Sequence, residues 1–376
     1  MRILFAGDCI SSDSLFSIGK DLEEYVSNHD YKIINFEAPV KQDEKPIIKA
    51  GPNLCNSENI IGCLKNYGFN VAALANNHIM DFGVSALKNT KKILKSNDIE
   101  SFGAGISFEE TYSPFLIENK DEKIAIFNLC QAEFGVMKTS RSKAGYAWIN
   151  HWSINTRIKQ LKESGYKIII YAHAGIEDEE FVLPEWRYRY HELIDCGANC
   201  IIANHPHIFQ GVELYKGKVI AYSLGNFYFP KDSMNDDWTT SLIASIDTKN
   251  IENISFRFVK FNKESINFYK NNEIQALFEK RCSYLNNEDL IEKYADELAD
   301  STYNRYYKSY YENLMPHTIR HIIKNKIKKF LIGKTELGLN ETMLLHNIQI
   351  ESHRWCVERY LYNKNCENNN FFVSRK

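Results

Sequence analysis

An α/β fold is predicted by three features: short apolar runs recurring along the first 200 or so residues, helical patterns between them, and glycines closing several of those patterns. The runs are ILFA at 3–6, KIINF at 32–36, NVAALA at 70–75, IAIFNL at 124–129, KIIIYA at 167–172 and CIIA at 200–203. Each ends at a polar loop, as a strand does. Helical patterns fall at about 15–27, 57–67, 84–96, 153–164 and 185–196, with Gly68, Gly165 and Gly197 behind three of them. Strictly alternating strand and helix argues for βαβ units. From about 211 to 262 the pattern changes to VELY, a Lys216-Gly217 turn, KVIAYSL, SLIASID and ISFRFVKF, which should add antiparallel strands to the sheet. Beyond 265 the chain turns rich in Asn, Lys, Glu and Tyr with helical periodicity, so the expected division is 1–264 and a helical extension over 265–376. Within that extension HTIRHIIKNKIKKFLIGK at 317–334 gathers Ile319, Ile322, Ile323, Ile327, Phe330 and Leu331 near one face. It suits either a helix lying on a membrane surface or one packed on its own domain with a solvated basic face.

A chain of 376 residues, 44% hydrophobic and 25% charged, can bury a sizeable core in one large domain and a smaller one. With 46 basic and 48 acidic residues, no global field favours nucleic acid, and a charged ligand must be met by a local site. The nine cysteines are odd in number and form no CxxC pair, which reads as reduced core thiols. The opening MRILFAGD has no secretory-signal pattern, and no apolar stretch reaches about 18 residues. A cytoplasmic location is expected, with contact at the inner face of the membrane if 317–334 binds lipid.

Chemistry-bearing residues recur at predicted strand ends, where open α/β sheets place their sites. Asp8 follows the first strand after Gly7, and Asn35 and Glu37 end the second, two apart and so on one side. Asn76, Asn77 and His78 follow the third, an unusual composition for a plain turn. His173 closes KIIIYA, with Glu177 four residues on. His205 and His207 flank Pro206 directly after CIIA; in an extended loop two such imidazoles can converge on a metal. Singly, each has an ordinary reading as turn, cap or core residue. Together Asp8, Glu37, Asn77, His173, His205 and His207 supply enough donors for one metal ion, or two sharing a bridging group.

The motifs GDCI at 7–10, NFEAPV at 35–40, ALANNHIMDFG at 73–83, HAGIE at 173–177 and NHPHIFQGVELYKGKVIAYSLGNFYF at 204–229 resemble the CapA, or poly-γ-glutamate capsule-synthesis, family. The resemblance covers about residues 1–230. It implies a layered αββα metallophosphoesterase-like sandwich with the helical C-terminal extension outside it. It also implies a divalent metal centre of Mn, Fe or Zn, one or two ions, held by Asp8, Glu37 in the bridging place, Asn77, His173, His205 and His207. His78 would be the catalytic imidazole, oriented by Asp81. Departures from the related phosphoesterase pattern are Ile10 for a His, Glu37 for an Asp and Asn204 for a Gly. Ala174 stands where CapA-like chains usually carry Trp, which should leave one wall open. The expected function is metal-dependent hydrolysis, of phosphoesters first, in capsule or poly-γ-glutamate biosynthesis. Its substrate would be a glycan or anionic polymer precursor. Hydrolysis of γ-glutamyl amides and a non-catalytic scaffold for polymer assembly are the competing expectations.

Overall fold

A computed structural model describes residues 1–13, 15–41, 43–314 and 337–368; the amphipathic segment 317–334 lies outside the described residues. The chain divides into two compact units, one of residues 1–47 and 53–291, the other of 48–52 and 292 onward.

The six predicted apolar strands form in place: β1 (Arg2–Cys9), β3 (Tyr31–Phe36), β4 (Val71–Ala73), β8 (Lys123–Cys130), β11 (Lys167–His173) and β12 (Cys200–Asn204). They fall into two sheets, three to each, and within each sheet the three pair in parallel. The first sheet runs β2 (Ser17–Ile18), β18 (Ser265–Phe268), β17 (Ile254–Phe261), β16 (Thr240–Asp247), β1, β3, β4, β5 (Glu100–Phe102), and β15 (Asn226–Tyr228) joins β1 in parallel. The second runs β13 (Val212–Tyr215), β14 (Lys218–Ala221), β12, β11, β8, β7 (Phe115–Glu118). A small third sheet pairs β6 (Ala104–Gly105), β10 (Gly145–Ala147) and β9 (Val136–Met137). The antiparallel additions therefore do not extend one sheet. The β13–β14 hairpin widens the second, with β14 parallel to β12, while β16 and β17 widen the first.

Burial on both faces explains why the strands read as unbroken apolar runs. In β1, Ile3 and Phe5 face the space between the sheets, where they join Ile169, Tyr171 and Ile202 of the second sheet. Leu4 and Ala6 face the other way, into a cluster with Leu22 and Val26 of α1 (Lys20–Ser27), Ile61 and Leu64 of α2 (Asn59–Asn66), and Leu87 and Leu94 of α3 (Gly83–Ser96). After the short α4 (Phe108–Tyr112), helices α5 (Ser153–Glu163) and α6 (Pro184–Cys196) pack on β11 and β12. The order is thus helices, sheet, sheet, helices. The Phe5 and Tyr171 rings meet across the middle at 5.2 Å, and Phe5→Ala would cost about 3–5 kcal/mol. The first predicted helix begins five residues late, because Ser17 and Ile18 pair with β18 before Gly19 opens α1.

Two further helices of the first unit follow, α7 (Asp236–Thr239) and α8 (Asn272–Ser283). In α8 the guanidinium of Arg281 is buried and donates to Phe209 O at 2.9 Å, so the first unit continues past 264. The helix α9 (Glu288–Thr302) leads into the second unit, which holds a π-helical turn at Tyr303–Tyr307, α10 (Lys308–Leu314), α11 (Leu337–Gln349) and α12 (Glu351–Asn368). Its core gathers Tyr303, Tyr307 and Val357, and Arg359 pairs with Glu292 and Asp296. Cys9, Cys55, Cys63, Cys196, Cys200 and Cys282 are free thiols. Among the described residues no helix is long and apolar enough to cross a membrane.

Candidate metal centre

Parallel strands put their carboxyl ends on one edge, and here the edges of both sheets contribute to a single buried cluster. Close approach of the chain requires Gly7. A Cβ there would lie 1.8 Å from Gly225 O, and the pairing of β1 with β3 shifts register at this point, between Ala6 and Asp8. Asp8 N then donates to Gly225 O at 3.1 Å.

Asp8, Glu37 and His207 are buried, with potential ligand atoms all within 4.8 Å of one another. Asp8 is held from several sides: Oδ1 accepts from Asn35 Nδ2 at 2.7 Å, and Oδ2 lies 3.3 Å from both His205 N and His207 Nδ1. His207 Nδ1 is also 3.0 Å from Asn226 Oδ1. Glu37 differs, since neither of its buried oxygens has a hydrogen-bond partner among the described residues. An unmatched buried carboxylate is costly unless a cation or a proton compensates it. Two carboxylates and an imidazole are also a suitable donor set for a divalent ion. The residues present therefore fit a metal.

His173 joins this group to a second. Its Nε2 lies 3.7 Å from Glu37 Oε1, 3.1 Å from Asn77 Oδ1 and 3.1 Å from His205 Nδ1, while its Nδ1 is 3.1 Å from Asn35 Nδ2. His205 Nε2 faces Gln131 Nε2 at 3.0 Å and Glu133 Oε1 at 3.6 Å. His78 Nδ1 is 2.7 Å from Asp81 Oδ2, and that oxygen also accepts Leu54 N at 2.8 Å. The eight residues expected as ligands or catalytic groups, Asp8, Glu37, Asn77, His78, Asp81, His173, His205 and His207, thus lie buried in this region, whereas Glu177 is exposed.

The loop of the paired histidines is not extended as expected. His205 and His207 both have positive φ, 104° and 62°, and their rings part toward different neighbours, 6.2 Å between centroids. Such backbone is sparsely populated for residues other than glycine, and here it turns one imidazole to each end of the cluster.

Burial, reinforced by Asp8, pushes the Glu37 carboxyl well above the usual carboxylate range. For His207, burial favours the neutral ring, but the charges of Glu37 and Asp8 outweigh it and raise the imidazole to about 10. His173 moves well below its ordinary value, through burial first and then the neighbouring His205, His207 and His78.

Asn226, Gln131 and Glu133 were not legible as site residues in the sequence. Gln131 and Glu133 do follow a strand end, that of β8, which was the available signal. Ala174, where an open wall was expected, is buried and lines a void of about 10 Å³ with Trp186 and Tyr190. A cavity of about 510 Å³ instead flanks the cluster, lined by Ile10, Leu54, Phe229, Lys231 and Lys263 among others. A larger one, about 960 Å³ around Tyr25, Arg257 and Phe268, contains no strand-end ligand residue and is remote from this chemistry.

Comparison with known proteins gives a match to the family described as bacterial capsule synthesis protein PGA_cap over residues 3–231. The chain is similar to the capsule biosynthesis protein CapA of Bacillus anthracis, 30% identical over 217 residues, which is 56% of this chain and 53% of that one. It is 28% identical over 225 residues to the PGA biosynthesis protein CapA of Bacillus subtilis (strain 168), 58% of this chain and 57% of that one. The chain spans about half the length of these curated relatives. Among solved structures, the 5'-nucleotidase precursor from Thermus thermophilus is similar with a TM-score of 0.39 and 11% identity, over 69% of this chain and 53% of that one. Because the match takes in residues 3–231 of 376, with every strand end of the buried cluster inside it, the chain belongs to the bacterial capsule synthesis protein PGA_cap family.

Proposed function

We propose that this chain is a metal-dependent hydrolase, with phosphoesters as its first substrate class, that acts in capsule or poly-γ-glutamate biosynthesis. The observation that carries the reading is Glu37, a fully buried carboxylate whose two oxygens lack hydrogen-bond donors among the described residues and which lies among Asp8, His207 and His173. Asp8, Glu37 and His207 would hold one divalent ion, Mn, Fe or Zn. Asn77, His173 and His205, with Glu37 shared, offer donors for a second. Bound there, such an ion supplies Lewis-acid polarisation of a phosphoryl or carbonyl oxygen and lowers the pKa of water.

The rest of the chemistry belongs to the chain. Asp81, fixed by Leu54 N, accepts a hydrogen bond from His78 Nδ1–H, so that in the protonated ring the Nε2–H is the hydrogen that would pass to the leaving oxygen, the neutral ring keeping its hydrogen on Nδ1. Asn35 bridges Asp8 and His173 and so orients a donor from each sheet. A glycan or anionic polymer precursor would reach the cluster from the flanking cavity, whose lining carries Lys231 and Lys263 beside Asp13 and Asp232.

Hydrolysis of γ-glutamyl amides is supported by the name of the Bacillus subtilis relative, a PGA biosynthesis protein, and by the fact that the same donors suit carbonyl chemistry. A polymer-handling scaffold is supported by Ile10, an apolar residue where the phosphoesterase pattern has an imidazole. One experiment separates the three. The chain is purified without chelator, its metals are measured by elemental analysis, and phosphate and amine release are assayed beside His78→Ala and His205→Ala. Metal with phosphate release that falls in both variants supports the first reading, and amine release supports the second. Bound metal without either product, or no metal, leaves the scaffold.

A further inference from the structure

We propose that Asn226 is a positioning residue that sets the tautomer of His207, placing the ring hydrogen on Nδ1 and leaving Nε2 as the lone pair available to a cation. The inference rests on the metal reading above. Asn226 is the first residue of β15, is fully buried and pairs with Asp8 in the sheet.

The amide orientation follows from its far side. Asn226 Nδ2 lies 3.2 Å from Trp238 O, a carbonyl that can only accept, so the NH2 group faces Trp238 and Oδ1 faces His207. Oδ1 can also only accept, and at 3.0 Å from His207 Nδ1 it requires a hydrogen on that nitrogen. Asp8 Oδ2, 3.3 Å from the same nitrogen, makes the same demand. Once Asp8 gives that oxygen to a cation, Asn226 is the acceptor that remains. Ligating imidazoles commonly have the other ring N–H held in this way, which fixes the tautomer and raises ligand basicity.

Packing holds the ring against rotation. The His207 imidazole meets the Trp238 indole at 5.0 Å and the Phe229 ring at 5.2 Å, and Trp238 is tied by Nε1 to Phe229 O at 2.7 Å. One short segment thus supplies both the carbonyl that orients Asn226 and the indole that packs on His207. The sheet carries the amide to them.

The test measures Zn²⁺ affinity by competition with a chromophoric chelator for the whole chain and for Asn226→Leu, Asn226→Asp and His207→Ala. Asn226→Leu should weaken Zn²⁺ by about 10–100-fold, while Asn226→Asp, which keeps an acceptor, should retain it. Long-range ¹⁵N spectra of the Zn²⁺-loaded wild type should show His207 with hydrogen on Nδ1, and this readout survives any folding defect of the Leu variant. Hydrogen on Nε2 overturns the inference. So does a Leu variant that binds as wild type while His207→Ala does not. If His207→Ala also binds as wild type, the metal reading of this cluster fails and the role of Asn226 falls with it.

Discussion

At one end of the cluster Asp8 and Glu37 place two carboxylates around the imidazole of His207, whereas at the other His173 sits among His205, His78 and the amide of Asn77. Burial is equally complete at both ends. Burial lowers both imidazoles, yet Glu37 and Asp8 raise His207 to about 10, whereas His173, although 3.6 Å from Asp8 Oδ1 and 3.7 Å from Glu37 Oε1, stays well below the ordinary 6.5 through burial and then its neighbours His205, His207 and His78. The carboxylate end demands a positive charge, from a proton or a cation. The imidazole end offers neutral lone pairs and resists protonation.

The largest expected effect tests whether proton transfer can be separated from metal holding. His78→Ala should lower the hydrolytic rate by about 10²–10⁴-fold with metal content unchanged in elemental analysis. Loss of metal from that variant would move His78 into the holding set and blur the division. Next in size, Glu37→Gln should weaken metal binding by about 100-fold or more, the upper end of what an outer partner costs, read by chelator competition. In EDTA the same variant should bring the His207 imidazole down from about 10 toward its ordinary value in an NMR titration, because Glu37 is the first of the charges that hold it up.

A smaller effect concerns pH, measured as thermal melting of the metal-free protein in EDTA. The folded pKa of His207 is raised, so its stabilisation is complete below 6.5 and is lost as pH climbs toward 10. His173 is depressed, so its contribution holds above 6.5 and is lost as pH falls below that value. His207→Gln should flatten the alkaline limb and His173→Asn the acid limb. Unchanged limbs would mean that the two ends are not electrostatically distinct. The smallest effect lies outside the cluster: if 317–334 contacts anionic lipid, co-sedimentation of the full chain with such vesicles should fade as salt rises, and salt-independent or absent binding removes the membrane proposal.

Much of this organisation was legible before any coordinates. The six apolar runs formed the six expected strands, because a strand buried on both faces has to be apolar throughout, and every singled-out donor stood in the last two residues of a strand or in the loop after it. Asn35 was visible beside Glu37. Asn226, Gln131 and Glu133 were not, since an isolated amide or carboxylate at a strand start or in a loop looks like any turn residue until the fold brings a histidine to it. The antiparallel strands were legible as strands but not by sheet, because a hairpin pattern carries no information about which edge it will join.

By itself, the sequence determined which residues end strands and therefore which donors crowd the carboxyl edge of an α/β core. Only the tertiary structure decided how those donors divide. Folding two sheets face to face brings His173 from one against Glu37 from the other, and the positive φ values at His205 and His207 send neighbouring imidazoles to opposite ends. Strand ends are local consequences of apolar patterning, whereas the field at a buried ring depends on charges from residues far away in the chain, as Asp8 and Glu37 are from His207.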